Sequence, residues 1–106
     1  MEDKYKNFVI YKIYQTNDPS MLYIGSTIDF KRRRSQHIKN TTNKRKRSYR
    51  YPLYKYIRQI GGFDKFNIEI VEEYPCESKG AGLLREKELI KSLNANLNIA
   101  NPVKNI

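Results

Sequence analysis

The sequence lacks the features on which several common protein classes depend. No apolar run approaches the ~20 residues that a membrane-spanning helix needs, and the polar start MEDKYKN has no signal-peptide core. The lone cysteine, Cys76, cannot form an internal disulfide or a cysteine zinc cluster. No GxxxxGK[ST] loop is present, which excludes nucleotide hydrolysis of the P-loop type. We therefore expect an intracellular protein that is neither secreted nor bound to a membrane.

Acidic residues are also missing from one third of the chain. From Phe30 to Phe63 there are 12 Lys or Arg residues and no Asp or Glu, within a chain whose net charge is +10. A field of one sign attracts polyanions, so nucleic acid is the favoured partner. A basic face that is merely solvated is one alternative. An acidic membrane surface is the other, and it is disfavoured because no strong amphipathic apolar face accompanies the charges.

The hydrophobic pattern predicts one α+β domain over residues 1–106, with helices packed on a three-stranded antiparallel sheet. A hairpin is expected from Phe8–Gln15 and Met21–Ser26, joined by the turn residues 16–20. A third strand is expected around Phe66, Ile68 and Ile70, which alternate with polar residues.

Helix signals occur in three places. Asp29 can cap a helix from Phe30 to about Lys39, and Pro52 suits the start of a second that Gly61 and Gly62 end. The remaining segments are an irregular, mobile basic loop at 40–51, a third helix at 83–94, and a tail at 97–102 that forms a packed segment or a short strand.

Two tyrosines are predicted to share one face of the hairpin. Paired residues in a hairpin have a constant sum of numbers, and a turn at Asn17 or Asp18 gives a sum of about 34 to 36. Tyr11 and Tyr23 are therefore opposite or nearly opposite. A cross-strand aromatic pair that only stabilises the sheet is the simpler explanation of this pattern, so the pair alone does not establish a site.

The helix after Asp29 places an arginine and a histidine on the same face. Arg33 and His37 are four residues apart, and the guanidinium suits phosphate oxygens. His37 is the only histidine in the chain. A surface or core histidine with satisfied hydrogen bonds is the simpler explanation for a single helical imidazole.

The third helix has an acidic residue on its apolar face. At about 100° per residue, Glu86 falls within the stripe formed by Leu83, Leu89, Ile90 and Leu93. An inward carboxylate needs a counter-charge or a metal. It is either a ligand for a hard cation or one half of a buried ion pair, for which Arg33 is the candidate partner.

These groups together suit phosphodiester hydrolysis. In that reaction a cation and an arginine stabilise the negative charge that develops on the phosphoryl oxygens, and a base prepares the attacking water. The chain resembles a GIY-YIG endonuclease domain from Phe8 to Pro102. Val9-Ile10-Tyr11 matches the first motif, with Val in place of the usual Gly, and Tyr23-Ile24-Gly25 matches the second. Ser26 follows, where some members have lysine. The sequence is similar to stand-alone GIY-YIG proteins of large DNA viruses.

The resemblance also implies the site residues. Arg33 and His37 match the motif arginine and the usual His or Tyr, Glu86 the metal-binding glutamate within LLREKELIKSL, and Asn98 the C-terminal asparagine within LNIA. It implies a single Mg²⁺ or Mn²⁺ held by Glu86, a phosphate clamp at Arg33, and products with a 5′-phosphate and a 3′-hydroxyl. Tyr11 is the first choice for the base, Tyr23 the alternative, and His37 a helper or relay. Asn98 positions a tyrosine or water.

The expected partner is double-stranded DNA, bound by a monomer or by a DNA-induced dimer. Phosphate contacts position a duplex without recognising its sequence, and seven residues are expected to make them: Lys31, Arg32, Arg34, Lys44, Arg45, Lys46 and Arg47. One alternative is a catalytically inactive nucleic-acid-binding module in which Glu86 pairs with Arg33. Another is an RNA-binding protein that stacks bases on its tyrosines.

Overall fold

The computed structural model describes residues 4–99, and a three-stranded antiparallel sheet lies at its centre. The strands are β1 (Val9–Gln15), β2 (Asp18–Thr27) and β3 (Phe66–Glu73), in the order β2-β1-β3. β2 begins at Asp18 rather than at Met21, so Pro19 lies inside a strand. β2 is at the edge of the sheet, and its pairing with β1 is irregular next to Pro19. Both are positions where a residue without an N–H is tolerated.

The register of the hairpin places the two tyrosines diagonally. Tyr11 lies opposite Gly25, and Ile13 lies opposite Tyr23, which corresponds to a sum of 36. Since side chains two positions apart on a strand share a face, Tyr11 and Tyr23 are neighbours on the same face of the sheet. The predicted common face is confirmed.

Within residues 4–99, four α-helices accompany the sheet: α1 (Phe30–Thr42), α2 (Pro52–Ile60), α3 (Lys79–Ser92) and α4 (Asn96–Ile99). Asp29 caps α1, as predicted, by accepting a 3.1 Å hydrogen bond from the Arg32 N–H. α3 begins four residues before the predicted start, because Ser78 caps it by accepting from the Ala81 N–H at 3.1 Å. None of the helices within residues 4–99 has the length and apolar character needed to cross a membrane.

The prediction of an irregular basic loop at 40–51 is wrong in part. α1 continues to Thr42, and Arg47–Arg50 forms a short 3₁₀ helix. Arg58 of α2 organises this segment. Its guanidinium donates to the backbone oxygens of Thr41 at 3.0 Å and Tyr49 at 2.8 Å, and it stacks over the Tyr49 ring at 3.6 Å. The Arg58 guanidinium, held by two carbonyl oxygens and one ring, thus orders a segment whose own sequence shows no helical or strand pattern.

The tail is helical where it is described. Residues 96–99 form α4, so the short-strand alternative is wrong for them, and buried Leu97 bears out the packed alternative. Residues 100–102 of that prediction lie outside the described residues.

The sheet separates two apolar clusters. One combines Tyr11 and Ile13 of β1 with residues of α2 and α4. The other combines Phe8 and Ile10 with Ile24 of β2, Leu89 of α3 and Ala95. β1 is thus covered on both faces, which fixes the position of Tyr11 within the protein.

Candidate active site

A chain of buried hydrogen bonds begins at Tyr11. Its phenol oxygen lies 2.7 Å from Nε2 of His37, and Nδ1 of the same ring lies 2.7 Å from the phenol oxygen of Tyr54. The Asn40 amide continues the chain by donating to Tyr54 at 3.2 Å. Tyr11 is 1% exposed and His37 is also buried. The imidazole is therefore held from both nitrogens.

The environment keeps these groups neutral. Burial, and secondly the positive charge of Arg33, lower the pKa of His37 from 6.5 to about 4. Burial is also the main reason why the pKa of Tyr11 lies far above its usual range, against the opposing charge of Arg33. The pKa of Tyr54 is raised, again mainly by burial. At neutral pH the chain consists of two phenols and an uncharged imidazole.

The direction of the chain follows from counting donors. A neutral imidazole has one donor and one acceptor, so one tyrosine donates to it and the other accepts. Within residues 4–99, His37 is the hydrogen-bond partner of the buried Tyr11 phenol, whereas the Tyr54 oxygen already accepts from Asn40. With Tyr11 donating to Nε2 and Nδ1 donating to Tyr54, no buried hydroxyl proton is left unpaired. This arrangement leaves the Tyr54 O–H free for a partner in the adjoining cavity, which Tyr54 lines.

Glycine is required opposite Tyr11. A Cβ built on Gly25 would lie 2.5 Å from the Tyr11 phenol oxygen and 2.6 Å from the ring carbon that carries it. The Tyr11 side chain thus crosses directly over the Gly25 backbone. This packing aims the phenol at His37 and gives the glycine of the Tyr23-Ile24-Gly25 motif a physical function.

Two cavities meet at Arg33 and Tyr23. The first, here the tyrosine cavity, has a volume of about 370 Å³ and is also lined by His37, Tyr54 and Asn98. The second, here the glutamate cavity, has a volume of about 410 Å³ and its lining includes Ser26, Lys79 and Glu86. Tyr23 and Arg33 line both cavities, whereas Tyr11 lines neither. Burial is the main reason that the pKa of Tyr23 is raised to about 12.

Glu86 turns partly inward, as its position in α3 predicted. It is half-buried in the wall of the glutamate cavity, and the Ser26 hydroxyl donates to its Oε1. The apolar stripe around it is less buried than expected, since Leu83 is 44% exposed. In the part of the chain that is described, the ion pairs join Arg85 to Glu72 and Glu88. The proposed pair between Glu86 and Arg33 is therefore not formed there.

The donor set fits a hard divalent cation. Within residues 4–99 there is no group of three His, Cys, Asp or Glu side chains that could share a metal, as a structural zinc site requires. Mg²⁺ is commonly held through one or two carboxylates, with water and substrate phosphates completing its shell. One cavity-facing carboxylate beside a hydroxyl and a guanidinium suits that type of site.

Asn98 contacts the backbone of β2. Its amide nitrogen donates to the Ile24 oxygen at 2.8 Å, and its amide oxygen accepts from the Ile24 N–H at 2.7 Å. Asn96 similarly accepts from the Leu22 N–H at 3.2 Å. The two amides of α4 thus satisfy the free edge of β2 on both sides of Tyr23. Asn98 fixes the strand that carries a site tyrosine.

The predicted DNA contacts do not all converge. All seven residues are exposed: Lys31, Arg32, Arg34, Lys44, Arg45, Lys46 and Arg47. Lys31, Arg32 and Lys46 line one shallow depression of about 450 Å³ on the outer face of α1. The other four lie outside its lining. The basic region is a broad surface beside the cavities, with one concave part.

Sequence reasoning misses two site residues. Tyr54 fits the apolar pattern of α2, so the sequence gives no reason to assign it to a site. Its hydrogen bond to His37 joins two helices through residues 17 positions apart, which a local pattern does not predict. Ser26 stands out in the sequence only as a departure from a family motif. Its position directly after Gly25 on β2 is a usable signal, because the next residue on a strand faces the opposite side of the sheet, where α3 packs.

Comparisons with known proteins identify the family and the fold. The family model described as GIY-YIG catalytic domain matches residues 7–98. Among solved structures, the chain is similar to the catalytic domain of homing endonuclease I-TevI, with a TM-score of 0.70 and 31% sequence identity. The match covers 86% of this chain and 92% of that domain. No curated protein matches the sequence.

Proposed function

The chain belongs to the GIY-YIG catalytic domain family, and from this premise we propose that it is a metal-dependent DNA endonuclease. The reaction is hydrolysis of a phosphodiester bond with one divalent cation, giving a 5′-phosphate and a 3′-hydroxyl. The observation that carries the proposal is that Glu86, Arg33 and Tyr23 line one cavity. A carboxylate, a guanidinium and a phenol meet there, although the chain separates them by up to 63 residues.

Glu86 and Arg33, which line the same cavity, together hold the reacting phosphate. Glu86 would hold Mg²⁺ or Mn²⁺, which would supply Lewis-acid stabilisation of the charge that develops on the phosphoryl oxygens. Arg33 clamps the same phosphate through its planar fork of donors. Ser26, which donates to Glu86, fixes the orientation of the carboxylate, and Lys79 adds a further positive charge to the lining.

Tyr23 is better placed than Tyr11 to contact the attacking water. Tyr23 lines both cavities, whereas Tyr11 is 1% exposed and lines neither. We therefore assign the contact with water to Tyr23, which reverses the preference drawn from the sequence. With a pKa of about 12 the Tyr23 phenol keeps its proton at neutral pH. The charge of Arg33 opposes that rise in pKa, whereas the charge of Glu86 adds to it. A cation held at Glu86 would offset the Glu86 charge and so favour the Tyr23 phenolate, the form that accepts a proton from water.

The other site residues position this pair. Tyr11 and Tyr54 hold His37 from its two nitrogens, and the His37 ring packs edge-on against Tyr23 with 6.0 Å between ring centroids. Asn98 fixes the β2 backbone at Ile24, next to Tyr23. Because His37 is neutral, it orients and relays through hydrogen bonds and adds no positive charge.

The basic surface binds the DNA backbone beside these cavities. Lys31, Arg32 and Lys46 contact phosphates in the depression on α1, and the remaining exposed basic residues extend the contact along a duplex. Affinity therefore decreases steeply with added salt. The chain acts as a monomer or as a dimer that forms on DNA.

Nicking of supercoiled plasmid tests the proposal. Wild-type protein is incubated with Mg²⁺ or Mn²⁺ and with EDTA, alongside Glu86→Gln and the matched control Glu88→Gln, an exposed carboxylate two residues further along α3. We expect nicking by the wild type and the control with metal only. Glu86→Gln should reduce the rate at least about 100-fold, as for removal of one interaction that stabilises the transition state.

Binding without nicking would instead support the catalytically inactive module. Metal-dependent nicking that Glu86→Gln leaves unchanged would contradict the role assigned to this carboxylate. A thermal unfolding curve for each variant separates loss of activity from loss of fold.

A further inference from the structure

The rim of the tyrosine cavity carries an exposed aromatic ring that phosphodiester hydrolysis does not use. Tyr51 is 55% exposed and lines this cavity. Its ring lies nearly parallel to that of Tyr54, with 6.2 Å between centroids and 18° between planes. Tyr51 thus extends the aromatic surface of Tyr54 to the rim of the cavity, and more than half of the Tyr51 surface is accessible to a flat partner.

This platform is held rigidly. Tyr51 donates its N–H to the Ser48 oxygen at 2.9 Å, and its own carbonyl oxygen accepts from the Tyr54 N–H at 3.0 Å. Pro52 follows at the first position of α2. The preceding 3₁₀ helix is anchored to α1 and α2 by Arg58, which bonds the Thr41 and Tyr49 oxygens. Because the backbone at Tyr51 is already fixed, ordering this segment on binding costs little conformational entropy.

The facing wall supplies polar groups. Arg33, Gln36 and Asn40 are spaced three and four residues apart on α1 and all line the tyrosine cavity. Gln36 already accepts a 3.1 Å bond from the Arg33 Nε, and the Asn40 amide nitrogen donates to Tyr54. The remaining amide groups can donate to and accept from the edge of a base. At about 370 Å³ the cavity falls within the range of small-molecule sites, roughly 300–1,000 Å³.

The cavity also adjoins the site of phosphate chemistry, since Arg33 lines both cavities. A nucleotide whose phosphate is clamped by Arg33 can therefore place its base against Tyr51. A base within a continuous duplex is stacked on both faces and cannot do so unless it leaves the stack. A base that is already unpaired meets a smaller barrier.

We propose that the tyrosine cavity binds an unpaired nucleobase next to the scissile phosphate. The preferred substrate is then DNA that contains an unpaired base, such as a bulge or a flap, over a continuous duplex. This inference rests on the proposed nuclease function, because Arg33 is taken to hold the scissile phosphate.

The test compares binding of two duplexes of equal length in EDTA, so that no cleavage occurs. One is fully paired and the other carries a single bulged 2-aminopurine. We expect wild-type protein to bind the bulged duplex more tightly and to quench the 2-aminopurine fluorescence by stacking. Tyr51→Ala should weaken binding of the bulged duplex roughly 5- to 100-fold, as for loss of one base–aromatic stack. Tyr51→Phe retains the ring and should retain the preference.

The matched control is Lys46→Ala, which removes a nearby charge and no ring. It should weaken both duplexes by the same factor. Equal wild-type affinity for both duplexes would overturn the inference, and so would equal weakening of both by Tyr51→Ala. Tighter binding of single-stranded RNA of the same sequence would assign the platform to RNA.

Failure of this inference is distinguishable from failure of the proposed function. Metal-dependent plasmid nicking without a preference for the bulge would refute only the base site. A preference lost in Tyr51→Ala, combined with no nicking, would refute only the nuclease.

Discussion

Acidification should destabilise the protein through one imidazole. His37 is buried and its pKa is lowered from 6.5 to about 4, so between these values the unfolded chain binds a proton that the folded chain does not. The contribution of His37 to the free energy of unfolding is therefore fully present above pH 6.5 and decreases as the pH falls from 6.5 to 4. Below pH 4 this group causes no further loss.

The size of this effect follows from the two pKa values. Each pKa unit corresponds to about 1.36 kcal/mol, so the lowering from 6.5 to about 4 corresponds to about 3 kcal/mol of unfolding free energy lost by pH 4. Small domains have only about 5–15 kcal/mol in total. Protonation linked to this single histidine would therefore remove a substantial fraction of a typical total.

Urea unfolding followed by circular dichroism from pH 7 to pH 4 measures the loss. His37→Gln provides the reference, because its amide can donate and accept hydrogen bonds but does not titrate in this range. Carboxylates contribute to both proteins, so the difference between the two pH profiles isolates His37. The wild type should lose about 3 kcal/mol more than the variant.

Proton NMR gives a direct check, because the sole histidine of the sequence yields a single set of imidazole resonances. In the folded protein we expect the titration midpoint near pH 4. Arg33→Gln should move the midpoint upwards, since the Arg33 charge is the second cause of the lowering. A midpoint near 6.5, together with parallel pH profiles for wild type and His37→Gln, would refute the account of the buried chain.

Two further predictions concern packing and charge. Gly25→Ala should destabilise the fold by about 1–3 kcal/mol through overpacking against Tyr11, whereas Gly80→Ala, whose new Cβ would lie 3.9 Å from the Ser78 hydroxyl oxygen, should stabilise it by about 0.4–1 kcal/mol. Urea midpoints measure both, and equal effects would contradict the close approach of Tyr11 to Gly25. Replacing the cluster at 44–47 by alanine should reduce the slope of log affinity against log salt by about 0.9 for each phosphate that the variant no longer neutralises. Titrations at four salt concentrations measure this slope, and an unchanged slope would exclude the cluster from the DNA interface.

Local sequence signals were sufficient for most of the fold. Asp29, Pro52 and Gly61 mark helix ends through their own side chains or backbone preferences, and the structure places helix ends at each of them. Aromatic and β-branched residues likewise identified β1, and alternation with polar residues identified β3. Predictions were less accurate where distant groups supply the order: Arg58 organises the segment around Tyr49, although its own position suggests only a helical surface residue.

The candidate site shows the same division. Sequence spacing predicted the common face of Tyr11 and Tyr23 and the inward turn of Glu86, because strand and helix periods are local properties. It did not distinguish the exposures of the two tyrosines, which depend on what packs above each ring. Tyr11 is covered by neighbours from other elements, and Tyr23 lies at the junction of two cavities.

The sequence by itself therefore determined the α+β class, the concentration of positive charge and the set of residue types available for chemistry. Only the tertiary structure decided that Tyr54 holds His37, that Asn98 supports the edge of β2, and that Tyr51 stands exposed beside the cavity. The physical reason is that periodicity and capping act within a few residues, whereas burial, pKa and hydrogen-bond partners depend on contacts between segments distant in the chain.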